Sequence, residues 1–211
     1  MKSLNLDVYL VTDSGMTQGR PIEEIVEAAA RGGVGIVQLR EKQASTRDFI
    51  SIAERVKKIL APFRVPLIIN DRLDVVLAVD ADGIHLGQED MRYDMARSLL
   101  GPDKIIGLSV ESVDDARIAD KLDVDYLGVS PIYFTPTKTD LKHELGLAGL
   151  AEIRAVSRHP LVAIGGLNPS NAAEVIQHGA DGVAVVSAIC TAKDPEAVAR
   201  ELVEIVRKAK G

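Results

Sequence analysis

The sequence predicts an α/β fold of one type, a single (β/α)8 TIM barrel, and three observations carry this prediction. Eight short β-rich runs each precede a helical pattern, similar links lead from helix to strand, and polar residues collect where the strands end. Strands that alternate with helices pair in parallel through right-handed crossovers, and eight such units close more readily into a barrel than they spread into an open sheet. The 211 residues are somewhat few for this fold, which usually needs about 250.

The predicted strands are short apolar runs bounded by turn residues. The main alternative is a doubly wound sheet, but no Gly-x-Gly-x-x-Gly sequence follows the first strand. No linker, low-complexity segment or shift in composition divides the chain, so we expect one barrel domain over residues 1–211. The strands are expected at Asp7–Thr12, Gly35–Arg40, Pro66–Asn70, Gly83–Leu86, Ile105–Ser109, Tyr126–Ser130, Leu161–Ile164 and Gly182–Val186.

The helices between the strands have recognisable starts. Pro21, Pro169 and Pro195 each follow a residue that ends a loop, which is where a first-turn proline belongs. The segments Ser45–Asp48 and Ser112–Asp115 resemble capping boxes, with Asp in place of the preferred Glu. These signals predict five helix N-termini on the strand-to-helix side of the repeating unit.

Tight links from helix to strand recur along the chain. Asp80–Gly83 precedes the fourth strand, Gly179–Gly182 precedes the eighth, and Arg31–Gly35 has the same place before the second. Their glycines are typical of turns. The repetition indicates one architecture used throughout the chain.

Composition and charge exclude several classes of function. The net charge of −6 gives no attraction to nucleic acid or to anionic membranes, so neither is expected as a partner. No apolar stretch approaches the roughly 18 residues of a membrane span, and the N-terminus has no signal-peptide pattern. Cys190 is the single cysteine, so no internal disulfide can form, and its apolar surroundings favour a buried bystander thiol. We therefore expect a cytoplasmic protein, and the amphipathic helix faces leave open whether it is a homo-oligomer.

Polar residues follow the predicted strands, at the rim where barrels of this type hold their chemistry. The clearest case is the second strand, where Gln38, Arg40 and Lys42 are two residues apart and point to one face while the chain is extended. The alternative is a solvent-exposed run of charged residues. Such a run would not require two cations on the same face of the strand, directly after its apolar residues. A forked guanidinium and a point-charge ammonium form a suitable pair for a diphosphate.

Two carboxylates end neighbouring units. Asp71 follows the third strand in Asn70-Asp71, and Asp90 closes the loop after the fourth. Each could instead be a cap or loop residue. Together they match magnesium, which takes one or two carboxylates, waters and phosphate oxygens. The scattered histidines do not indicate zinc, and His85 is expected to be a packed or hydrogen-bonded residue.

The last two units carry a separate signal for a phosphate. Gly165 and Gly166 leave the seventh strand, and Val186-Ser187 leaves the eighth. Barrels often hold a phosphate at these two loops through backbone N–H groups, which a side chain would obstruct. The rim therefore suggests two anionic sites, and the reaction inferred from the residues is substitution at carbon, with diphosphate departing and a phosphorylated partner attacking.

The ordered motifs of this chain resemble those of the thiamin-phosphate synthase family over nearly the whole length. They are Tyr9-Leu-Val-Thr-Asp13, Val37-Gln-Leu-Arg-Glu-Lys42, Ile69-Asn-Asp71, Asp82-Gly-Ile-His-Leu-Gly-Gln-Glu-Asp90, Gly107-Leu-Ser109, Gly128-Val-Ser-Pro-Ile-Tyr-Phe-Thr-Pro-Thr-Lys138 and Ala163-Ile-Gly-Gly166. The resemblance implies a transferase of thiamin biosynthesis. Such an enzyme condenses a pyrimidine that carries a diphosphooxymethyl group with a thiazole that carries a phosphoethyl group, and releases diphosphate.

The resemblance also implies a role for each site residue. Asp71 and Asp90 would bind Mg²⁺, and the reaction would begin with dissociative loss of diphosphate. The pyrimidine diphosphate would be held by Gln38, Arg40, Lys42 and Asn70, and the leaving diphosphate would be contacted by Ser109 and Lys138, which with Arg40 form the expected catalytic set. The thiazole phosphate would be held by Thr135, Thr137, Gly166, Val186 and Ser187.

Other functions on the same barrel are less consistent with these residues. A thiazole tautomerase of the same superfamily would not need a diphosphate grip. A phosphosugar isomerase or aldolase would need a central base or a Schiff-base lysine, and no predicted strand interior contains a lysine. A phosphate-binding barrel without activity would not need two metal carboxylates together with a leaving-group lysine.

Overall fold

A computed structural model of the protein describes residues 4–134 and 144–211. Within these residues the strands form a closed parallel barrel in the order β1 to β8, with helices between them, so the predicted fold is confirmed. Each predicted strand is present, and no bound differs from the predicted one by more than one residue. The strands are β1 Val8–Val11, β2 Ile36–Leu39, β3 Leu67–Asn70, β4 Gly83–Leu86, β5 Ile105–Val110, β6 Tyr126–Val129, β7 Leu161–Ile164 and β8 Gly182–Val185.

The helices lie outside the barrel and begin largely where the sequence signals place them. Ser45 Oγ accepts from the N–H of Asp48, and Ser112 Oγ accepts from the N–H of Asp115, so both capping residues are confirmed. The helices are α1 Ile22–Gly32, α2 Thr46–Leu60, α3 Leu73–Val79, α4 Tyr93–Leu100, α5 Val113–Ala119, α6 Gly146–Val156, α7 Ala172–Gln177, α8 Ser187–Cys190 and α9 Pro195–Lys210, with 3-10 turns at Ser14–Met16 and Ala61–Phe63.

One of the three predicted first-turn prolines, Pro169, does not lie at the start of a helix. Pro195 is the first residue of α9, and Pro21 immediately precedes α1, but Pro169 lies in a turn ahead of α7. The reason is local: Asn171 Oδ1 accepts from the N–H of Asn168 at 2.9 Å, which closes a side-chain turn. The helix therefore begins only at Ala172.

The strands separate two apolar clusters because successive side chains point to opposite faces. The larger cluster packs the outer strand faces against the helices, with members such as Leu10, Leu39 and Phe49. The smaller one fills the barrel interior: Leu6, Tyr9, Val11, Ile36, Ile68, Ile105, Tyr126, Val162 and Ala184. The interior is thus a packed core whose upper part must form any site at the carboxyl ends.

Aspartates in the helix-to-strand links bind the amino end of the neighbouring strand. Asp82 Oδ2 accepts from the N–H of Leu67, Asp125 Oδ2 accepts from that of Ile106, and Asp181 Oδ2 accepts from that of Leu161, each at 2.8 Å. The links before β4 and β8 therefore share a function, which is to satisfy a strand-end donor that the ladder leaves unpaired, whereas the Arg31–Gly35 link contains no aspartate. The Asp125 link was not recognised in the sequence because no glycine accompanies it.

Ion pairs join the end of α9 to Asp7, the residue that precedes β1. Lys210 Nζ lies 2.6 Å from Asp7 Oδ1, and Arg207 Nε lies 3.2 Å from Asp7 Oδ2. Burial alone would raise the pKa of Asp7, but the two cationic donors outweigh it and lower that pKa. In the part of the chain that the structure describes, none of the helices has the length and hydropathy of a membrane-spanning helix.

We expect Asp82→Ala to lower the free energy of unfolding by about 1–3 kcal/mol, because the Leu67 N–H then loses its acceptor. Asp82→Asn is the matched control, since an amide oxygen can still accept this bond, and it should lose less than half as much. Urea unfolding at neutral pH measures both. Equal losses in the two variants would contradict the role assigned to the acceptor.

Candidate active site

One cavity of about 670 Å³ opens among the carboxyl ends of the strands. It brings together every predicted site residue that lies in the described ranges. These are Gln38, Arg40, Lys42, Asn70, Asp71, Asp90, Ser109, Gly166, Val186 and Ser187. Thr135, Thr137 and Lys138 lie outside the described residues. Residues far apart in the sequence therefore share one site because parallel strands end at the same rim.

The cationic side of the cavity is built by β2 and the loop that follows it. Gln38, Arg40 and Lys42 all line the cavity, as their common parity predicts. Thr12 Oγ1 accepts from the backbone N–H of Arg40 at 3.0 Å, and Asp13 Oδ2 accepts from its Nη1 at 2.8 Å. The guanidinium is therefore oriented by the residues that follow β1, and Asp13 is a positioning partner whose role the sequence did not reveal.

Asp71 and Asp90 form an acidic pair beside these cations. Lys42 Nζ lies 3.9 Å from Asp71 Oδ2, and the Asp71 carboxyl is within hydrogen-bonding reach of Asp90. Burial first, and then the hydrogen bond and charge of Asp90, raise the pKa of Asp71 to about 6, although Lys42 opposes the shift. The two carboxyl groups are thus close enough to disfavour simultaneous ionisation without a cation.

The sequence left open that Asp71 and Asp90 are helix-capping or loop residues, and the structure answers differently for each. Asp71 does not cap α3, because Arg72 is the residue before that helix and no side chain caps it. Asp71 instead adopts a left-handed conformation at φ +62°, and its N–H donates to the carbonyl of His85 at 2.9 Å. Asp90 does have a loop role as well, since its Oδ2 accepts from the N–H of Gly87 at 2.7 Å.

The acidic pair fits a divalent cation with oxygen ligands. Two adjacent carboxylates, one with a raised pKa, are relieved of their repulsion when a cation lies between them. Among residues 4–134 and 144–211 there is no cluster of three or more His, Cys, Asp or Glu side chains that could hold a metal. A pair of carboxylates is the donor set that Mg²⁺ uses when a phosphorylated ligand completes its coordination.

A chain of hydrogen bonds crosses the barrel beneath the cavity. It runs from Gln38 Nε2 to Tyr9 Oη at 2.9 Å, to Tyr126 Oη at 2.7 Å, to His85 Nδ1 at 3.0 Å and from His85 Nε2 to Ser109 Oγ at 2.9 Å. We call these five residues the floor chain. The expectation that His85 is a hydrogen-bonded residue is confirmed, and its partners line the cavity with it.

The tyrosines of the floor chain were missed in the sequence. Both occupy strand positions that read as core, and both are buried. A usable signal was present, since a tyrosine in an aliphatic barrel strand needs a partner for its hydroxyl. Tyr9 and Gln38 also lie on adjacent strands, but which residues face each other depends on a register that the sequence does not state.

The opposite side of the cavity includes Gly165 and Gly166 after β7 and Val186 and Ser187 after β8. Gly165 and Gly166 have φ values of +109° and +67°, and a Cβ on Gly165 would lie 2.9 Å from Pro131 Cβ, so both glycines are required by conformation. Helix α8 begins at Ser187, directly after Val186, so the N–H groups of Ser187 and Ala188 have no acceptor within the helix. This side therefore offers backbone donors.

Cys190 does not take part in the site. Its side chain is buried, and burial raises the pKa of the thiol to about 11. The thiol is therefore protonated and unreactive at neutral pH, as a bystander would be. The expectation drawn from its apolar surroundings is confirmed.

The chain is similar to known proteins over nearly its whole length. The family described as thiamine monophosphate synthase matches residues 8–189. A thiamine-phosphate synthase from Albidiferax ferrireducens is 53% identical over 201 residues, which cover 95% of this chain and 92% of that protein. One from Syntrophomonas wolfei is 50% identical over 205 residues, with 97% and 98% covered. The solved thiamine phosphate pyrophosphorylase from Pyrococcus furiosus has a TM-score of 0.90 and 39% identity, with 98% of each chain covered.

We expect Asp71→Asn to change how stability depends on pH in metal-free protein. The folded pKa of about 6 exceeds the ordinary 3.8, so the contribution of Asp71 to wild-type stability should fall as pH rises from about 4 to above 6. The variant lacks this fall. Its advantage in free energy of unfolding should therefore grow by on the order of 1 kcal/mol across that window, after allowance for solvent screening.

Urea unfolding in chelator at several pH values measures this difference. Any effect of Asn on the left-handed backbone is independent of pH and cancels in the comparison. A constant difference between pH 4 and pH 7 would contradict the raised pKa.

Proposed function

The chain belongs to the thiamine monophosphate synthase family, whose members are transferases, and we propose that it joins a pyrimidine diphosphate to a thiazole phosphate. The substrates would be 4-amino-2-methyl-5-(diphosphooxymethyl)pyrimidine and the phosphorylated hydroxyethylthiazole, and the products thiamin phosphate and diphosphate. One observation carries the proposal: a single cavity has cations and a carboxylate pair on one side and glycine-lined backbone on the other.

The pyrimidine diphosphate is assigned to the side built by β2 to β5. Arg40 presents a fork of donors held by Asp13, and Lys42 adds a point charge, so diphosphate oxygens would meet two different cations. Gln38 lies deeper and is buried, which suits an uncharged ring. Asn70 lies on β3 beside the acidic pair and would contact the same ligand.

The cofactor proposed is Mg²⁺, held by Asp71 and Asp90. Bound there, it would supply positive charge that stabilises the departing diphosphate. Ser109 and Lys138 would donate to the same leaving group. The support from structure for Ser109 is its place at the end of the floor chain, whereas Lys138 rests on the family resemblance.

The thiazole phosphate is assigned to the glycine-lined side. Gly166, Val186 and Ser187 lie around the backbone donors at the start of α8. Thr135 and Thr137 complete this set by resemblance alone.

The proposed reaction is a dissociative substitution. The bond between the pyrimidine methylene carbon and the diphosphate oxygen breaks first, and the ring's amino group stabilises the resulting cation. The thiazole nitrogen then donates its electron pair to that carbon. No proton has to be transferred, so the protein's work is to orient two bound reactants and to stabilise the leaving anion.

Location and self-association stay predictions. A cytoplasmic location is part of the proposal, and small molecules are the proposed partners. Large apolar side chains are exposed on neighbouring helices, including Leu77 on α3, Leu99 on α4 and Ile118 on α5. They would form the contact if the chain is a homo-oligomer.

We expect diphosphate and thiamin phosphate to form when the protein is mixed with both substrates and Mg²⁺, and no product to form in chelator. Asp90→Asn should raise the Mg²⁺ concentration for half-maximal rate at least tenfold, because one of two proposed ligands loses its charge. Asp94→Asn on α4 is the control. Turnover in chelator would overturn the role of the metal, and no product under any condition would overturn the synthase function in favour of a tautomerase or a non-catalytic barrel.

We expect Arg40→Lys to raise the KM for the pyrimidine diphosphate about tenfold, which is about 1.4 kcal/mol, because the ammonium keeps the charge but loses the forked contact. The KM for the thiazole phosphate should stay within twofold. Arg117→Lys on the exposed face of α5 is the matched control. Steady-state kinetics with each substrate varied in turn tests this, and equal changes in both KM values would contradict the assignment.

A further inference from the structure

With Nε2 of Gln38 directed at Tyr9, as the structure has it, the floor chain has one arrangement of hydrogens in which every bond is made. Tyr9 Oη accepts from the amide Nε2 of Gln38, so its own hydrogen is directed to Tyr126 Oη, 2.7 Å away. Tyr126 in turn has its hydrogen for His85 Nδ1 at 3.0 Å. Each tyrosine thus accepts one bond and donates the next, as a phenol can.

The arrangement determines the state of His85 and the direction in which Ser109 donates. Since Nδ1 accepts from Tyr126, the imidazole is neutral and carries its hydrogen on Nε2, which donates to Ser109 Oγ at 2.9 Å. The hydrogen of Ser109 is then directed elsewhere, and Ser109 lines the cavity. The floor chain therefore ends on a hydroxyl that can donate to a ligand.

The other end of the floor chain offers an acceptor. With Nε2 of Gln38 turned to Tyr9, its Oε1 is the amide atom left for the cavity, and within the described ranges no protein donor reaches it. Turning the amide over would place Oε1 against Tyr9. Every bond in the floor chain would then have to reverse, and the Ser109 hydrogen would be directed to His85 instead of the cavity.

The barrel interior is built to keep the floor chain in place. Residue 107 is a glycine, and a Cβ there would lie 2.1 Å from Cζ of Tyr126, so any larger residue would displace the ring. Tyr9 and Tyr126 stack edge to face at 5.6 Å, and both are buried. Burial raises the pKa of both hydroxyls far above neutral pH, so both stay protonated donors.

We propose that the floor chain couples the orientation of the Gln38 amide to the orientation of the Ser109 hydroxyl. This coupling determines which ring substituent the site accepts together with a phosphate. A ring amino group at Gln38 and a phosphate oxygen at Ser109 both fit the observed direction. A ring carbonyl at Gln38 fits only the reversed direction, which withdraws the Ser109 donor from the anion. Tyr9, Tyr126 and His85 are thus positioning residues for specificity, and this inference rests on the proposed pyrimidine diphosphate substrate.

The test compares two ligands and two tyrosine variants. The ligands are the aminopyrimidine diphosphate and an analogue with a carbonyl in place of the amino group. Each carries a methylene in place of the ester oxygen that joins the ring methylene to phosphorus, so that diphosphate cannot leave. Calorimetry with Mg²⁺ gives the ratio of their Kd values. Tyr126→Phe breaks the floor chain in the middle but keeps the ring, and Tyr93→Phe removes a tyrosine hydroxyl that donates to Asp123 outside the site.

The wild type and Tyr93→Phe should both prefer the amino ligand strongly. In Tyr126→Phe the preference should fall at least tenfold, because Gln38 can turn over without reversing any other bond. An unchanged ratio with both ligands weakened equally would mean that Tyr126 only supports the fold, and an unchanged ratio with both affinities retained would mean that the floor chain does not transmit orientation. Either result overturns the inference while wild-type synthesis of thiamin phosphate, assayed separately, decides the proposed function.

A second measurement reads the hydrogen position in the wild-type floor chain directly. Nitrogen-15 NMR of histidine-labelled protein, with the His85 signal assigned by its loss in His85→Asn, reports the tautomer. The inference requires neutral His85 with its hydrogen on Nε2. A hydrogen on Nδ1, or on both nitrogens, at neutral pH would overturn it.

Discussion

Closure of the barrel between β8 and β1 is the constraint on which the rest of the structure depends. β1 pairs in parallel with both β2 and β8, with Tyr9 opposite Ile36 on one side and Ala184 on the other. Asp7 strengthens the seam by binding the end of α9 through Lys210 and Arg207. Because every strand points the same way around the closed ring, all carboxyl ends meet at one rim.

Closure also determines what the barrel interior can contain. Its inward positions are aliphatic near the amino ends, as with Ile68 and Ile105, and become polar toward the cavity. Buried polar groups persist only when they are paired. The floor chain satisfies this requirement by joining side chains from β1, β2, β4, β5 and β6, so a polar layer separates the packed core from the ligand cavity.

The two sides of the cavity are strained in different ways. On the acidic side, Asp71 and Asp90 are held close together at the expense of a raised pKa, and Asp71 also has a left-handed backbone. Such strain is typical of functional sites, where surrounding structure maintains an arrangement that would not form alone. On the glycine side, Gly165 and Gly166 permit a tight path past Pro131 and leave backbone donors unobstructed.

The sequence by itself determined the strands, the barrel and the residues at its rim. Alternating elements and polar strand ends are local patterns, which can be recognised without knowing any tertiary contact. The resemblance to the family added Lys138, Thr135 and Thr137 to the predicted site, and these three lie outside the described residues. The tertiary structure alone decided which partners those residues have: Asp13 for Arg40, the acidic pair, and the joining of Gln38 to Ser109 through the floor chain. Such pairings depend on register and barrel closure, which bring together residues too distant in the chain for any local pattern to relate.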